Sequence, residues 1–412
     1  MTSGANEIRR RMFLKKGLAG LAAVGAVPAA VKTAVLGAAE NPQAAAGGAP
    51  AGGKPIVRTL GRTGLKVPVV SMGVMNADNP AVVQAALETG IILLDTAHGY
   101  QRGRNEQMIG QVIKGRPRDS YMIATKVPGP QRERSMQGLD PEALEKAFLE
   151  KFDISLGRLG LEHVEILYLH NNSTREDVQN PGILSALQKV KKSGKARFVG
   201  TTTHSNEPAV IRATVEAKVY DVVLTAYNFR QDYREEVRKA VGEAAAAGLG
   251  IVAMKTQAGV FWDKQKKKPI DMKAALRWAL RDPNVHTAVP GFTTFDQLQD
   301  DLVVLREPAF TPADEEKLGH QKLAGFFCQG CEECLPPCPQ HLPIPELMRS
   351  YMYGYAYRNR EAAQTLLASL DLPRLPCGDC DDCQVVCAKG FDVRERIRDI
   401  VRLRDVPREL LI

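Results

Sequence analysis

Eight cysteines, the only ones in this 412-residue chain, fall in two identical frames. They read Cys328-x2-Cys331-x2-Cys334-x3-Cys338-Pro339 and Cys377-x2-Cys380-x2-Cys383-x3-Cys387. Three thiolates at three-residue steps on a tight turn suit three corners of a [4Fe–4S] cube. A fourth cysteine just beyond supplies the last corner, often that of the other cluster. Residues 1–325 contain no cysteine, so the chain keeps its thiols for one task. A disulfide framework belongs to small secreted domains, and structural zinc uses paired C-x2-C knuckles across a long loop. The eight cysteines are therefore predicted to hold two [4Fe–4S] clusters, and the chemistry to be redox.

A second set of residues suits proton transfer. Asp95 closes one short apolar run, Lys126 follows another, His170 closes a third, and Tyr100 lies five residues beyond Asp95. A tyrosine hydroxyl, with an ordinary pKa near 10, is a weak acid. A nearby ammonium stabilises its phenolate and is expected to lower that value. A carboxylate beside the lysine fixes its position, and a histidine beside the tyrosine orients a carbonyl or relays the proton. The chemistry read from this set is hydride delivery to a carbonyl carbon with Tyr100 protonating the oxygen, or the reverse oxidation of an alcohol.

The elements that must position these residues alternate along 55–325. Strands are expected at Val69–Gly73, Ile91–Asp95, Tyr121–Thr125, Ile166–His170, Phe198–Thr201, Val222–Ala226, Ile251–Lys255 and Thr287–Pro290. Helical patterns such as Pro80–Thr89, Pro141–Leu159 and Asp232–Ala247 separate them. Eight strands with helices between them across this length predict an α/β fold, a (β/α)8 TIM barrel, with chemistry where the strands end. A doubly wound sheet is disfavoured, because no G-x-G-x-x-G follows the first strand. Residues Ile56–Lys66, turning at Arg62-Thr63-Gly64, read as a hairpin capping the barrel floor.

Here the chain resembles the aldo-keto reductase family. The matching residues are Gly61-Arg62-Thr63-Gly64-Leu65-x-Val67-Pro68, then Asp95-Thr96-Ala97-x-x-Tyr100 with Asn105-Glu106 and Gly110. Ala124-Thr125-Lys126, Tyr168-Leu169-His170 and Val289-Pro290-Gly291 continue the match, which covers about residues 55–310. The resemblance implies a (β/α)8 barrel that binds NADP(H) without a Rossmann motif, and a catalytic tetrad of Asp95, Tyr100, Lys126 and His170. Family members usually carry Ser-Asn after the fifth strand. Here Thr202 and Thr203 take that place and are the expected grips for the carboxamide. Leu224 stands where the sixth strand usually offers glutamine. The loop after the eighth strand, Gly291–Asp301, has no Lys or Arg and three Asp. Phosphate recognition normally uses cations or helix N-terminal amides. NADP(H), NAD(H) and a lost nicotinamide site therefore all stay open. Lys255, Gly291, Thr293 and Gln297 complete the expected cofactor contacts.

Residues 326–412 are read as a mainly helical, ferredoxin-like 4Fe-4S domain. Its two frames are linked by 38 residues that include the helical stretch Ile344–Leu370. The long spacer resembles the helical ferredoxin modules of respiratory enzymes. By that resemblance Cys328, Cys331, Cys334 and Cys387 hold one cluster, and Cys377, Cys380, Cys383 and Cys338 the other. Four consecutive cysteines per cluster is the alternative. Asp379, Asp381 and Asp382 crowd the second frame with negative charge and are expected to lower that cluster's potential. Tyr351, Tyr353, Tyr355 and Tyr357 read as packing or interface residues rather than an electron wire.

The amino terminus carries Arg10-Arg11-Met12-Phe13-Leu14-Lys15, an Ala/Gly-rich apolar stretch from Gly17 to Val31, and small residues at Ala38-Ala39. This layout predicts a twin-arginine signal peptide over residues 1–39, followed by a flexible linker over 40–54. Export to the periplasm by the twin-arginine machinery is expected, or membrane tethering if the signal stays uncleaved. Six of the 55 Lys and Arg and one of the 47 Asp and Glu lie in residues 1–39, which leaves the remainder close to neutral. Nucleic acid is therefore not an expected partner.

The expected partners are a small-molecule carbonyl or alcohol, a redox partner protein and the export machinery. Three functions follow. The first is an exported oxidoreductase whose barrel and clusters exchange electrons. The second is a carbonyl reductase whose clusters serve structure or docking. The third is a non-catalytic electron-transfer subunit on a retired barrel, against which the intact tetrad argues.

Overall fold

The hairpin that closes the barrel floor shows how the sequence builds this fold. Strands β1 (Val57–Thr59) and β2 (Lys66–Pro68) pair antiparallel around a turn at Gly61–Thr63. Leu60, Leu65 and Val67 insert into the barrel interior against Leu93, Ala124, Ile166, Tyr168, Val222 and Leu224. Gly61 has a positive φ, and a Cβ there would lie 2.4 Å from the backbone nitrogen of Gly250. Only glycine allows the turn to sit so close to the barrel.

The computed structural model describes residues 53–411 except 260–268, 320–327, 329, 331, 357–358, 379, 381–382 and 388–389. The expected signal peptide, nearly all of the linker, Cys331, Tyr357, Asp379, Asp381 and Asp382 lie outside the described residues. Pro55–Ile412 forms one contact unit.

Eight parallel strands follow in chain order. They are β3 (Met72–Gly73), β4 (Leu93–Asp95), β5 (Met122–Pro128), β6 (Val164–Asn172), β7 (Ala196–Thr203), β8 (Val222–Ala226), β9 (Gly250–Met254) and β10 (Thr287–Ala288). A parallel bridge between Val70 and Ala288 joins the last strand to the first and closes the ring. The strands are buried on both faces, which is why they read as near-continuous apolar runs. Helices α1 (Pro80–Glu88), α2 (Arg104–Ile113), α3 (Pro141–Leu159), α4 (Arg175–Val178), α5 (Pro181–Lys192), α6 (Glu207–Ala217), α7 (Arg234–Ala246), α8 (Met272–Leu280) and α9 (Phe295–Arg306) lie between and after them, and α10 (Pro312–Gly319) follows. Helix α3 has clear local causes. The Asp140 side chain accepts from the Ala143 N–H at 2.9 Å, Pro141 opens the helix, and Gly160 ends it in the left-handed region. Leu144, Phe148, Phe152, Leu156 and Leu159 form its buried stripe.

All eight expected strands are present; Val222–Ala226 keeps its expected bounds, and the others shift at one end or both. The strand expected at Tyr121–Thr125 runs to Pro128, so Lys126 lies inside it rather than after it. Lys126 pairs with Tyr168 and Pro128 with His170. Pairing with β6 carries the extended backbone past the apolar run. The strand expected at Thr287–Pro290 shortens to two residues.

Among the described residues after 327, every regular element is helical. Helix α11 (Ile344–Tyr351) leads through a π-turn at Met352–Ala356 to α12 (Arg360–Ser369), and α13 (Val393–Val401) packs beside them. Leu347, Met348, Leu367, Ile397 and Ile400 share a core with Cys334, Cys338 and Cys377. This module rests on the barrel. Arg104 pairs with Glu361, the Asn359 amide donates to Asn76 Oδ1 at 2.6 Å, and Met352 packs with Ala258, Phe229 and Tyr353. No helix among the described residues is long and apolar enough to cross a membrane.

Asp301 on α9 is buried, with 4% of its surface exposed. Burial and the neighbouring Asp300 push its pKa up to about 8, against Lys273, which lowers it. The folded state thus holds a proton that the unfolded chain releases near pH 4. This stabilisation is complete below pH 4 and is lost as pH rises through about 8. Asp301→Asn is expected to remove that loss. In urea melts between pH 4 and 8, the variant should gain stability over the parent steadily with pH; parallel curves would count against the assignment.

Candidate active site

The strand ends bring the four expected residues together. Asp95 is the last residue of β4, and Lys126 projects from β5 beside it. The Lys126 ammonium donates to Asp95 Oδ1, to the Thr96 carbonyl at 2.7 Å, and to the Tyr100 hydroxyl at 3.2 Å. His170, on β6, meets the Tyr100 ring edge-on at 5.9 Å between centroids. The register of β6 against β7 shifts between Leu169 and Asn172, and Asn171 has a φ of 64°. Such an irregularity re-aims side chains at a barrel rim, here at the two residues His170 and Asn171.

Tyr100 sits at the head of a tight turn. Gln101 and Arg102 have φ of 49° and 57°, unfavourable for side chains of their size. The turn is tied down because Gln101 Nε2 donates to the carbonyls of Met75 and Ala77 at 3.1 and 3.2 Å. Asn105 and Glu106, at the start of α2, fix the surroundings. The Thr96 hydroxyl donates to Asn105 Oδ1 at 2.6 Å, and Asn105 Nδ2 donates to the Val74 carbonyl at 2.7 Å. Buried Glu106 accepts from the Thr125 hydroxyl at 2.7 Å and from Arg158 at 3.2 Å.

The electrostatics correct one expectation. Lys126 does not bring the Tyr100 pKa down; burial, Asp95 and Tyr353 together push it well up. Tyr100 is therefore held protonated, as a donor must be. Burial and the nearby cations Lys126, Arg349 and Arg132 hold His170 neutral. Burial lowers the Lys126 pKa and raises that of Asp95, and each partner's charge opposes this.

The expected cofactor contacts are used differently. Thr202 Oγ1 accepts from the Asn171 N–H at 2.7 Å, and the Thr203 hydroxyl donates to the Ser205 carbonyl at 2.7 Å. The Thr203 O–H is thereby committed to the barrel rim, whereas Thr202 accepts there and keeps its own O–H to donate. Gln297 accepts from the Thr293 N–H at 2.8 Å, which folds the loop after Gly291 onto itself. Leu224 is buried in the barrel floor cluster. Lys255 has a φ of 54°, its carbonyl accepts from the Ala258 N–H at 3.1 Å, and its ammonium has no hydrogen-bond partner among the described residues. Burial and the Arg349 charge bring its pKa down to about 7. It shares a pocket with His204, Cys328, Met348, Arg349 and Met352, so helix α11 roofs the end of the barrel at this point. Of the six expected contacts, Lys255 presents a side chain with no hydrogen-bond partner among the described residues, and Thr202 keeps its hydroxyl proton.

Several neighbours of the tetrad were not found from sequence. Tyr353, Arg349 and Arg132 are among the charges and hydroxyls that act on Tyr100, Lys126 or His170. The alternation of Tyr353 with the other tyrosines reads as packing or interface and carries no sign of a place beside the tetrad.

The cysteines show which frames meet. Cys338, from the first frame, lines one pocket with Cys377, Cys380 and Cys383 from the second. Leu342, Ile344, Val385, Val393 and Ile397 complete its largely apolar wall. Burial and the neighbouring thiols raise the Cys377 thiol to about 11. Arg398 braces the turn by donating to the Cys377 carbonyl at 2.9 Å. Cys338, Cys377, Cys380 and Cys383 are free thiols. Among the described residues, no three His, Cys, Asp or Glu side chains gather closely enough to share one metal ion. A cube instead takes one thiolate at each of four iron corners, and four thiols around a dry pocket fit that donor set. In the other frame Cys331 is outside the described residues, and Cys328 lies in the wall of the Lys255 pocket.

Residues 71–274 match the family model described as Aldo/keto reductase family. The chain is 28% identical over 305 residues to an L-galactose dehydrogenase of Arabidopsis thaliana, covering 64% of this chain and 92% of that protein. It is 30% identical over 220 residues to a D-threo-aldose 1-dehydrogenase of a Pseudomonas species, covering 46% of this chain and 66% of that protein. The fold matches an aldo-keto reductase of Bacillus halodurans in its holo form, with a TM-score of 0.53 at 23% identity over 64% of this chain and 95% of that chain. It also matches one of Klebsiella pneumoniae in complex with NADP and acetate, with a TM-score of 0.51 at 18% identity over 63% and 93% of the two chains.

Lys126→Met would leave the Asp95 carboxylate buried without its counter-charge. We expect a loss of about 3–5 kcal/mol in unfolding free energy. Adding Asp95→Asn should restore part of it. Urea titration of the single and double variants checks this, and equal stabilities of the parent and the single variant would show that the pair carries no such load.

Proposed function

We propose, for a chain that contains an aldo/keto reductase family domain and is an oxidoreductase, that the barrel interconverts a small carbonyl compound and its alcohol, with NADP(H) as hydride carrier. The observation that carries this reading is the Lys126 ammonium set at once against Asp95 and the Tyr100 hydroxyl. Reduced nicotinamide, when bound, supplies a hydride to the carbonyl carbon. The residues of this chain manage the oxygen. Tyr100, held protonated, donates its proton to the developing alkoxide, and the Lys126 ammonium stabilises the phenolate left behind. Asp95 keeps Lys126 in place. Neutral His170 is able to donate a hydrogen bond to the substrate oxygen, which fixes the carbonyl between the two rings. In the oxidation direction the same groups take the proton back. The neighbouring folds solved with NADP support this carrier by analogy, and Lys255 is the residue best placed to meet its negative charge.

The eight cysteines carry the second part of the proposal. Two [4Fe–4S] clusters would be held across the frames, with Cys338, Cys377, Cys380 and Cys383 on one and Cys328, Cys331, Cys334 and Cys387 on the other. The shared pocket of the first set supports this arrangement over four consecutive ligands per cluster. A second functional reading, in which the barrel exchanges electrons with the clusters, is favoured by Cys328 lining the same pocket as Lys255 and His204. The twin-arginine pattern adds export of the folded, cluster-loaded protein to the periplasm, or tethering to the membrane.

Anaerobic addition of NADPH to cluster-loaded protein separates the two readings. Bleaching of the visible cluster absorption, with a reduced-cluster EPR signal, would establish exchange. Bleaching by dithionite alone would leave an independent reductase. In either case Tyr100→Phe should abolish carbonyl reduction and leave the cluster absorption intact; retained turnover would remove Tyr100 from the acid role.

Cross-frame ligation has its own test. Cys338→Ser and Cys380→Ser should each cost one cluster, about four of eight iron atoms. The double variant should lose no more than either alone. Loss of both clusters in the double variant would instead establish four consecutive ligands per cluster.

A further inference from the structure

Two guanidinium groups converge beside the tetrad, and they come from opposite ends of the fold. Arg132 belongs to the loop after β5, whereas Arg349 belongs to α11 of the cysteine-bearing module. Both reach Asn171, the residue next to His170. The Asn171 side chain is oriented so that its nitrogen donates to His204 Nε2 at 2.8 Å. Its oxygen then accepts from Arg349 Nη1 at 3.1 Å and from Arg132 Nε at 3.0 Å. Glu346, one turn before Arg349 on α11, lies 2.5 Å from Arg132 Nη1 and 4.0 Å from Arg349 Nη1.

One carboxylate therefore faces two cations. The Arg349 side chain is only 11% exposed, so water does little to screen the excess. The effect is visible on the neighbours, since both guanidinium charges contribute to holding His170 and His204 neutral. A guanidinium offers five N–H donors. Arg349 meets Asn171 and Glu346 through Nη1 alone, which leaves Nε and Nη2 without a partner among the described residues. Two like charges held together and largely buried, with donors to spare, are the complement of an anion.

We propose that Arg132 and Arg349 form an anion subsite next to His170 and Tyr100, and that the substrate is a short oxo acid or the corresponding hydroxy acid, whose carboxylate this pair grips. The inference rests on the carbonyl–alcohol reading of the tetrad. The reacting oxygen would lie at Tyr100 and His170 while the carboxylate, a bond or two away, reaches the guanidinium pair beyond Asn171. Arg349 makes the C-terminal module part of the substrate pocket, beyond any role in electron transfer.

The test uses full-length, cluster-loaded protein and two probes of matched size, oxamate and its uncharged analogue pyruvamide. Calorimetric titration is expected to show oxamate binding about 10- to 100-fold more tightly than pyruvamide. Arg349→Gln should remove that preference, and Arg349→Lys should restore part of it. Arg132→Gln serves as a second variant if Arg349→Gln does not fold, as judged by its cluster absorption and melting. Equal affinity for the two probes, or an oxamate preference that survives loss of either arginine, would overturn the subsite. Tyr100→Phe distinguishes the two layers. It should bind oxamate as the parent does while turning over no carbonyl. Oxamate selectivity in a protein that reduces no carbonyl would keep the subsite and discard the reaction. Equal turnover of charged and neutral carbonyls would keep the reaction and discard the subsite.

Discussion

The site depends on one buried ion pair, Lys126 with Asp95. Each charge is costly to bury alone, and each is tolerable only because the other is held against it. That requirement fixes the two strand ends relative to each other, since a small slip between β4 and β5 would leave two unpaired charges in the dry interior. The barrel meets it by pairing Asp95 with Ala124, one strand position below Thr125 and two below Lys126. Below the pair, the floor hairpin seals out water with Leu60, Leu65 and Val67. Above it, Tyr100 is held in a turn that its own residues disfavour and that Gln101 ties back to the barrel. The ion pair thus sets where the ammonium points, and the ammonium sets where a proton is given.

Much of this was legible in the sequence because it follows short-range rules. Apolar runs of four to five residues gave every barrel strand, and Asp140-Pro141 with Gly160 marked the ends of α3. The tetrad was readable because its members stand at strand ends in a fixed order. Strand ends were less legible: Lys126 reads as a residue after a strand and lies within one, because cross-strand pairing extends regular backbone beyond the apolar core. The cofactor contacts were the least legible. Thr202 and Thr203 have the right chemistry, yet the Thr203 hydroxyl donates to a neighbouring carbonyl and Thr202 accepts from a backbone N–H, and no local pattern announces those bonds. The same holds for Tyr353 and Arg349, whose position beside the tetrad depends on how two separately folded layers meet.

The tyrosine acid also shows how burial and charge compete. A lysine beside a phenol is expected to lower its pKa, yet here the lysine's charge is largely answered by Asp95, and burial acts unopposed on the hydroxyl. The hydroxyl therefore stays protonated. Glu207, raised to about 7 by burial and bonded to Gln231 and Tyr233, shows the same balance on the far side of the rim. Buried titratable groups at the mouth of this barrel are thus governed first by dehydration and second by their neighbours.

Arg132 and Glu346 are 214 residues apart in the chain, and their contact joins the barrel to the helical module. During synthesis the barrel residues emerge first, with Tyr100, Lys126 and His170 all present, while the roof does not yet exist. Helix α11 emerges after the whole barrel and docks beside the tetrad from a module whose core includes Cys334, Cys338 and Cys377. The pocket is therefore finished only when that module has folded around its thiols. Tyr353 and Arg349, which act on Tyr100 and His170, reach those residues only with that module.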